Sequence, residues 1–364
     1  MEKQRKFDVQ SSQAIKGIAI IMMMQHHCFR EQELYQGYEI SFFPFQEQFV
    51  VELSYMFKIC VSLFAFITGY GLYLNYKKKH VSSTKWVLIR EVKVLSGYWF
   101  VFICSVIICQ LLNGRTYEVY FFDQISKGIV RFFIDFIGCA SLFDTRTLNG
   151  TWWYMSAAVV FVICIPLFMK FEEQLPLVLM GVAVIPRVLR MGYLGDNAVY
   201  TFLSPLILGM IMAKYNLVER WINYGNLKCK IAKLVAEVLF LCLGYGIYVG
   251  VPNELICEYK FGLYPLVVIL FVTGFIINIP FLDKVLGFLG KHSMNIFLTH
   301  TFIRAYYLEK FIYSLKHFIL IILVLLLMSL GISIILERLK GWIGYNKWIN
   351  ALCKKIENTS IKQL

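Results

Sequence analysis

Long apolar runs recur along this chain and restrict its fold more than any other feature. Runs near the length that crosses about 30 Å of hydrocarbon fall at 14–29, 55–76, 94–113, 151–170, 175–190, 199–214, 231–250, 262–280, 285–307 and 317–337. Hydrophobic residues make up 59% of the 364 residues and charged residues only 16%, whereas soluble proteins carry about 25% charged residues. We therefore predict an all-α, polytopic membrane protein with about ten transmembrane helices.

The distribution of Lys and Arg predicts how these helices are oriented. When the N-terminus is placed inside, the loops on that side hold most of the basic residues, which is typical of cytoplasmic loops. We expect both termini in the cytoplasm, with residues 1–13 as an N-terminal segment, 14–337 as the transmembrane domain and 338–364 as a basic tail. This asymmetry also accounts for the formal charge of +13, so no nucleic-acid partner is expected.

Two further features have structural interpretations. The stretch 117–143 alternates aromatic and charged residues and is either an interfacial amphipathic helix or an eleventh span; its Asp135 is expected to be solvated. The ten cysteines form no CxxC pair and mostly lie in apolar runs, where cysteine packs as a small hydrophobe. We expect neither a disulfide framework nor a metal site.

The first apolar run begins with a lysine and ends on two histidines, in QAIKGIAIIMMMQHHCF at 13–29. Lys16 and His27 are eleven residues apart, almost three helical turns, so their side chains share one helix face, whereas His26 points away from it. Ionisable groups within a membrane usually line a cavity or a pathway. An imidazole can exchange a proton near neutral pH. The alternative is that both histidines only cap the helix at the outer interface.

Six segments in order resemble the acyltransferase family 3 of integral membrane proteins. The family's first helix shows Arg, or sometimes Lys, ten residues and then His, which Lys16 and His27 match. Thr68, Gly97 and Lys16 stand where the family more often has Ser, Pro and Arg. The other segments are VSLFAFITGYGLYL at 61–74, KWVLIREVKVLSGYWFVF at 85–102, GTWWYMS at 150–156, LGFLGKHSMNIFLTHTFI at 286–303 and ILERLK at 335–340.

The resemblance implies acyl transfer, usually of acetyl from acetyl-CoA to a carbohydrate or cell-envelope acceptor. It implies a catalytic role for His27, as a base or as a nucleophile. Lys16, Arg90 and Lys93 would bind the anionic donor, although cytoplasmic lysines often only enforce topology.

Three further residues are candidate contacts for the acceptor. Trp153 and Tyr154 would form a wall for a sugar, unless they belong to the ordinary aromatic belt at the interface. His300 is either a site residue or a core histidine that is hydrogen-bonded to a neighbour.

These expectations combine into a multi-pass O-acetyltransferase of the inner or plasma membrane. It would move acetyl from cytoplasmic acetyl-CoA to a hydroxyl of a cell-surface polysaccharide or its lipid-linked precursor. A transporter or flippase for a lipid-linked saccharide is the alternative, although repeated halves and interrupted helix pairs are not evident. A membrane sensor or scaffold would need a partner-binding domain that the chain does not show.

Overall fold

The computed structural model describes residues 5–188, 199–225, 227–251 and 257–359. Within these ranges the chain is built from helices and contains no strand, apart from one isolated bridge between Ser41 and His317. The predicted all-α fold class is therefore confirmed. Residues 189–190 of a predicted span and residues 360–364 of the predicted tail lie outside the described residues.

Seventeen α-helices have bounds in the described part of the chain, and several short segments of 3₁₀ or π-helix lie between them. In chain order the helices are α1 (Val9–Phe29), α2 (Glu47–Met56), α3 (Cys60–Lys77), α4 (Ser83–Asn113), α5 (Arg115–Tyr120), α6 (Ile125–Phe136), α7 (Trp153–Lys170), α8 (Leu175–Val188), α9 (Leu203–Lys214), α10 (Leu217–Asn223), α11 (Leu227–Gly250), α12 (Tyr264–Gly274), α13 (Pro280–Lys291), α14 (Ser293–Thr301), α15 (Glu309–Tyr313), α16 (Phe318–Trp342) and α17 (Tyr345–Asn358).

Six helical stretches among the described residues are long and apolar enough to cross a membrane. A seventh is obtained if Val199–Lys214 and Leu217–Asn223, bent by 65°, form one broken span. The chain is therefore a multi-pass helical membrane protein, while the predicted number of ten spans remains a prediction. The six stretches are Glu47–Lys77, Ser83–Asn113, Gly150–Lys170, Lys228–Gly250, Tyr259–Asn278 and Phe318–Trp342.

Two of the predicted spans differ in character from these six. Helix α1 is 21 residues long, but it carries Lys16, Gln25 and two histidines, and it is not among the six apolar stretches. The predicted span 285–307 is not one helix: α13 ends before His292, α14 follows, and Phe302–Tyr307 then continues as a π-helix. Near the break, the His292 Nδ1 atom lies 2.9 Å from the Ser333 hydroxyl.

Glycines bring two pairs of helices into direct backbone contact. A Cβ atom added at Gly17 of α1 would lie 2.1 Å from the Leu286 carbonyl oxygen of α13. A Cβ at Gly69 of α3 would lie 1.9 Å from the Leu206 carbonyl oxygen of α9. Such distances are impossible for a real side chain. These helices can approach each other closely because glycine has no side chain at the crossing. Small residues are common where helices pack in lipid.

The segment 117–143 does not form a span. It contains α5 and α6, and the 12 residues of α6 extend only about 18 Å, too short to cross about 30 Å of hydrocarbon.

The expectation that Asp135 is solvated was wrong. Asp135 is 1% exposed and accepts hydrogen bonds from the hydroxyls of Tyr98 (2.9 Å) and Tyr120 (2.5 Å) and from the Leu148 N–H (3.0 Å). Burial raises the pKa of this carboxyl group, and the hydrogen bonds act in the opposite direction. The residue therefore ties α6 to α5, to α4 and to the stretch before α7.

Candidate functional site

A cavity of about 640 Å³ runs between α1, α3, α4, α7, α14 and the π-helical segment Phe302–Tyr307. One end is lined by Lys16 and Lys93, and the other by His27, Arg30 and Arg304. Lys16 and His27 lie on one helix and are separated by a rise of about 16 Å. The cavity therefore extends over much of the thickness of the bundle. Its apolar wall includes Val61, Phe64, Leu72, Val94, Val162, Met294 and Phe297.

The two consecutive histidines have different surroundings. His26 is 4% exposed, and its Nδ1 atom lies 2.9 Å from the Ser54 carbonyl oxygen, so this imidazole is tied to the backbone of α2. Both histidines line the cavity, but the ring nitrogens of His27 make no hydrogen bond to a described residue. Of the two, His27 is the imidazole with nitrogens available to a molecule in the cavity.

His300 packs directly against His27. Their ring centroids are 5.0 Å apart, and His300 is fully buried. Its Nδ1 atom lies 2.8 Å from the Phe297 carbonyl oxygen, which can accept only if this nitrogen carries the proton. The Nε2 atom is then an acceptor and lies 3.3 Å from the Thr301 hydroxyl. His300 thus contacts His27 and is itself held in orientation.

A chain of hydroxyl groups continues from His300 toward the start of α7. The Thr301 Oγ1 atom lies 3.3 Å from Thr151 Oγ1, and the Thr151 hydroxyl donates to Asn149 Oδ1 at 2.9 Å. Both threonines line the cavity. This network fixes the 3₁₀ segment Gly150–Trp152 against α14.

Lys16 and Lys93 place two ammonium groups at the end of the cavity remote from His27. Lys16 is half-buried, and Lys93 is exposed. Neither has an ion-pair partner within the described ranges. The residues that line the cavity, all of them in the described part of the chain, include five Lys and Arg but no Asp or Glu. An anion can therefore enter without meeting a carboxylate.

Arg90 does not line the cavity, although it lies only three residues before Lys93. Its guanidinium carbon is 5.9 Å from the ring centroid of Trp86. The C-terminal helix α17 packs along this part of α4: Lys85 donates to the Glu357 carbonyl oxygen at 2.6 Å, and Tyr345 donates to the Ser96 carbonyl oxygen at 2.8 Å. The expectation that Arg90 binds the donor together with Lys93 stays a prediction.

The aromatic residues at the start of α7 separate into two roles. Trp153 and Tyr154 line the cavity. Trp152 is 2% exposed and donates its indole N–H to the Leu298 carbonyl oxygen at 3.1 Å. The first two present aromatic surface to the cavity, and the third fastens α7 to α14.

Sequence reasoning missed the basic residues at the His27 end. Arg30, Lys58 and Arg304 all line this part of the cavity. Spacing in the sequence points to the two arginines: Arg30 follows His27 by three residues, and Arg304 follows His300 by four, the spacings of one helix face. Arg304 is also a charge within an apolar run, which itself indicates a functional position.

The arrangement is suited to proton transfer or nucleophilic attack by an imidazole beside cationic groups. No carboxylate orients His27 among the residues of the cavity, so the site differs from a Ser-His-Asp triad. In the described part of the chain, no three His, Cys, Asp or Glu side chains converge to hold a metal ion.

Comparison with known proteins identifies the chain at the level of its family. The family model described as an acyltransferase domain matches residues 9–338. That range includes every helix that contributes to the cavity. Neither the curated proteins nor the solved structures give a match. The family match covers nearly the whole chain, and the chain therefore belongs to the acyltransferase family 3 of integral membrane proteins.

Proposed function

We propose that this membrane acyltransferase is an O-acetyltransferase of the inner or plasma membrane. It moves acetyl from cytoplasmic acetyl-CoA to a hydroxyl of a cell-surface polysaccharide or its lipid-linked precursor. The observation that carries the proposal is the position of His27, whose ring nitrogens make no hydrogen bond to a described residue, in a cavity that also reaches Lys16 and Lys93. One end of the cavity would take the donor, and the other would take the acceptor.

The donor is expected to enter at the end formed by Lys16 and Lys93. Coenzyme A carries phosphate groups, which ammonium groups attract. In the predicted orientation this end faces the cytoplasm, where acetyl-CoA is made. The apolar wall with Leu72, Val94 and Val162 suits the pantetheine arm, which would place the thioester toward His27.

The reaction step assigned to His27 is general-base catalysis. The imidazole accepts the proton of the acceptor hydroxyl as its oxygen attacks the thioester carbonyl carbon. A carbon–oxygen bond forms, the carbon–sulfur bond breaks, and the CoA thiolate takes the proton from the imidazolium. An acyl-histidine intermediate uses the same side chain as nucleophile, and both routes require one ring nitrogen of His27 to be free of a hydrogen bond.

The acceptor is expected to lie against Trp153 and Tyr154. Aromatic faces pack well on the apolar faces of sugar rings. His300 would act by holding the His27 ring in place through their 5.0 Å contact, with its own orientation fixed by the Phe297 carbonyl.

The test compares three histidine-to-glutamine variants in permeabilised membranes supplied with labelled acetyl-CoA. His27→Gln should lower label incorporation into envelope glycan by at least about 100-fold, because a positioned base contributes about 10²–10⁴-fold to rate. His26→Gln can still donate to the Ser54 carbonyl and should retain activity per folded molecule. His80→Gln, at an exposed position, is the matched control.

Equal incorporation by all three variants would contradict the assignment of His27. If wild-type membranes incorporate no more label than membranes without the protein, acetyl transfer itself is refuted. Translocation of a lipid-linked saccharide that persists in His27→Gln would then favour the transporter.

A further inference from the structure

Three basic residues surround the cavity at the end where His27 lies. Arg30 follows the last turn of α1, Lys58 lies in the 3₁₀ segment Phe57–Ile59, and Arg304 lies in the π-helix Phe302–Tyr307. They come from three separate elements of the chain. Their common location is therefore produced by the tertiary fold and is not a local run of charge.

Arg304 is the member of this group whose charge is least compensated. It has no acidic partner in the described part of the chain. Its Nε atom is buried without a hydrogen-bond partner there, and a buried donor without a partner is costly. The Arg30 Nε atom also lacks a hydrogen bond, but it lies 3.3 Å from a Glu31 carboxylate oxygen. Arg304 contacts the Tyr313 hydroxyl, and its remaining N–H groups are available to an anion in the cavity.

The backbone around Arg304 is also unusual. π-Helical segments are rare and often occur at functional sites. The segment Phe302–Tyr307 supplies Arg304, Ala305 and Tyr306 to the cavity wall. It follows directly after α14, which holds His300 against His27. The widened turn thus places a guanidinium beside the residues assigned to chemistry.

We propose that Arg304, with Arg30 and Lys58, binds an anionic group on the acyl acceptor, either a phosphate ester or a carboxylate. This inference rests on the proposed function and names its substrate class as an anionic saccharide. The donor is not the ligand here, because its phosphates are assigned to Lys16 and Lys93, and Lys16 lies about 16 Å from His27 along α1. A guanidinium suits both anions, since its N–H groups match two oxygens of either.

The test measures binding and does not require acyl transfer. The full chain in lipid nanodiscs is titrated calorimetrically with glucose 1-phosphate, glucuronate or glucose. We expect one of the two anionic sugars to bind at least about tenfold more tightly than glucose. The preferred anion distinguishes a phosphate ester from a carboxylate as the natural group.

Variants locate the binding. Arg304→Gln should weaken binding of the preferred anion by about tenfold, and Arg304→Lys should weaken it less, because the charge remains. Arg146→Gln is the matched control, since Arg146 is exposed and pairs with Asp123 at 2.7 Å outside the cavity. Lys93→Gln removes a charge at the opposite end and should leave this affinity within about twofold.

The proposal is overturned if no sugar binds, if glucose binds as tightly as the anions, or if Arg304→Gln and Arg146→Gln behave alike. The proposal is also overturned if Lys93→Gln loses as much affinity for the anion as Arg304→Gln does, because the anion would then not lie at the His27 end. His27→Gln separates the two proposals. If His27→Gln still binds the anion but transfers no acetyl, both the anion site and the proposed function are supported. If the wild-type protein binds the anion but transfers no acetyl, the anion site is supported and the proposed function is refuted.

Discussion

At the scale of single residues, side chains that look equivalent in the sequence differ in whether they line the cavity. Arg90 and Lys93 lie three residues apart on α4, and their directions differ by about 60° around the helix axis. Lys93 lines the cavity, whereas Arg90 packs near Trp86 under the C-terminal helix. The fold therefore gives the two cations different environments.

Replacing each cation in turn tests this difference. Lys93→Gln should raise the KM for acetyl-CoA by about tenfold with little change in kcat, because a phosphate contact made throughout the reaction affects binding uniformly. Arg90→Gln should change that KM by less than about threefold. Initial rates at varied acetyl-CoA concentration measure both. A larger effect of Arg90→Gln on KM would show that the donor lies along the other face of α4.

The shared helix face of Lys16 and His27 could be predicted from the sequence for a physical reason. The eleven-residue spacing of Lys16 and His27 fixes them on one face of any helix, and the structure places both in the cavity. The contribution of Arg304 depends on the break at His292 and on a π-helix, neither of which hydrophobic periodicity encodes. Arg90 lies close to Cys353 of the distant α17, a contact that one segment of sequence cannot reveal.

At the scale of helices, glycine contacts determine which pairs pack closely. α3 crosses α9 at Gly69 and at Gly209, where an added Cβ would lie 2.2 Å from the Phe66 carbonyl oxygen. α1 crosses α13 in the same way at Gly17 and Gly290. Both α1 and α3 supply walls of the cavity. Their close packing against α13 and α9 therefore holds two walls of the cavity in place.

Two glycines on α3 provide a matched test. Gly69→Ala should lower the free energy of unfolding by about 1–3 kcal/mol or more, because the methyl group would overlap the α9 backbone. Gly71→Ala, two residues later with no atom within 4 Å of an added Cβ, should be neutral or stabilising by up to about 1 kcal/mol. Thermal unfolding in detergent compares them. Equal melting temperatures would contradict the close contact of α3 with α9.

The apolar runs predicted where helices lie more reliably than how they are connected. Apolar runs at 94–113, 151–170 and 231–250 correspond to α4, α7 and α11. The run at 285–307 contains three helical pieces, because polar groups such as His292 and Asn295 find partners on α16 that a sequence profile does not show.

At the scale of the whole molecule, the cavity gives the two ends of the bundle different chemistry. Lys16 and Lys93 line one end, while His27, the aromatic pair and Arg304 line the other. The excess of basic residues in alternate loops predicts that the Lys16 end is cytoplasmic. Donor and acceptor would then reach one histidine from opposite faces of the membrane.

Protease accessibility of inserted tags tests this orientation. In sealed inside-out vesicles, a tag after Leu364 should be cleaved, because the C-terminus is predicted to be cytoplasmic. A tag inserted at the exposed turn around Asp144 should be protected until detergent is added. Cleavage of the Asp144 tag with protection of the C-terminal tag would reverse the assignment of the two ends.

The central claim is that acetyl enters the cavity from the cytoplasm and reaches its acceptor at the opposite face, and sided transfer in sealed vesicles tests it most directly. Labelled acetyl-CoA, which does not cross membranes, is supplied outside inside-out vesicles or outside right-side-out vesicles from the same cells. The account predicts glycan labelling only in the inside-out vesicles, with the labelled glycan protected from added glycan hydrolase until detergent opens them. Labelling only in right-side-out vesicles, or labelled glycan left on the cytoplasmic face, would contradict transfer through the bundle.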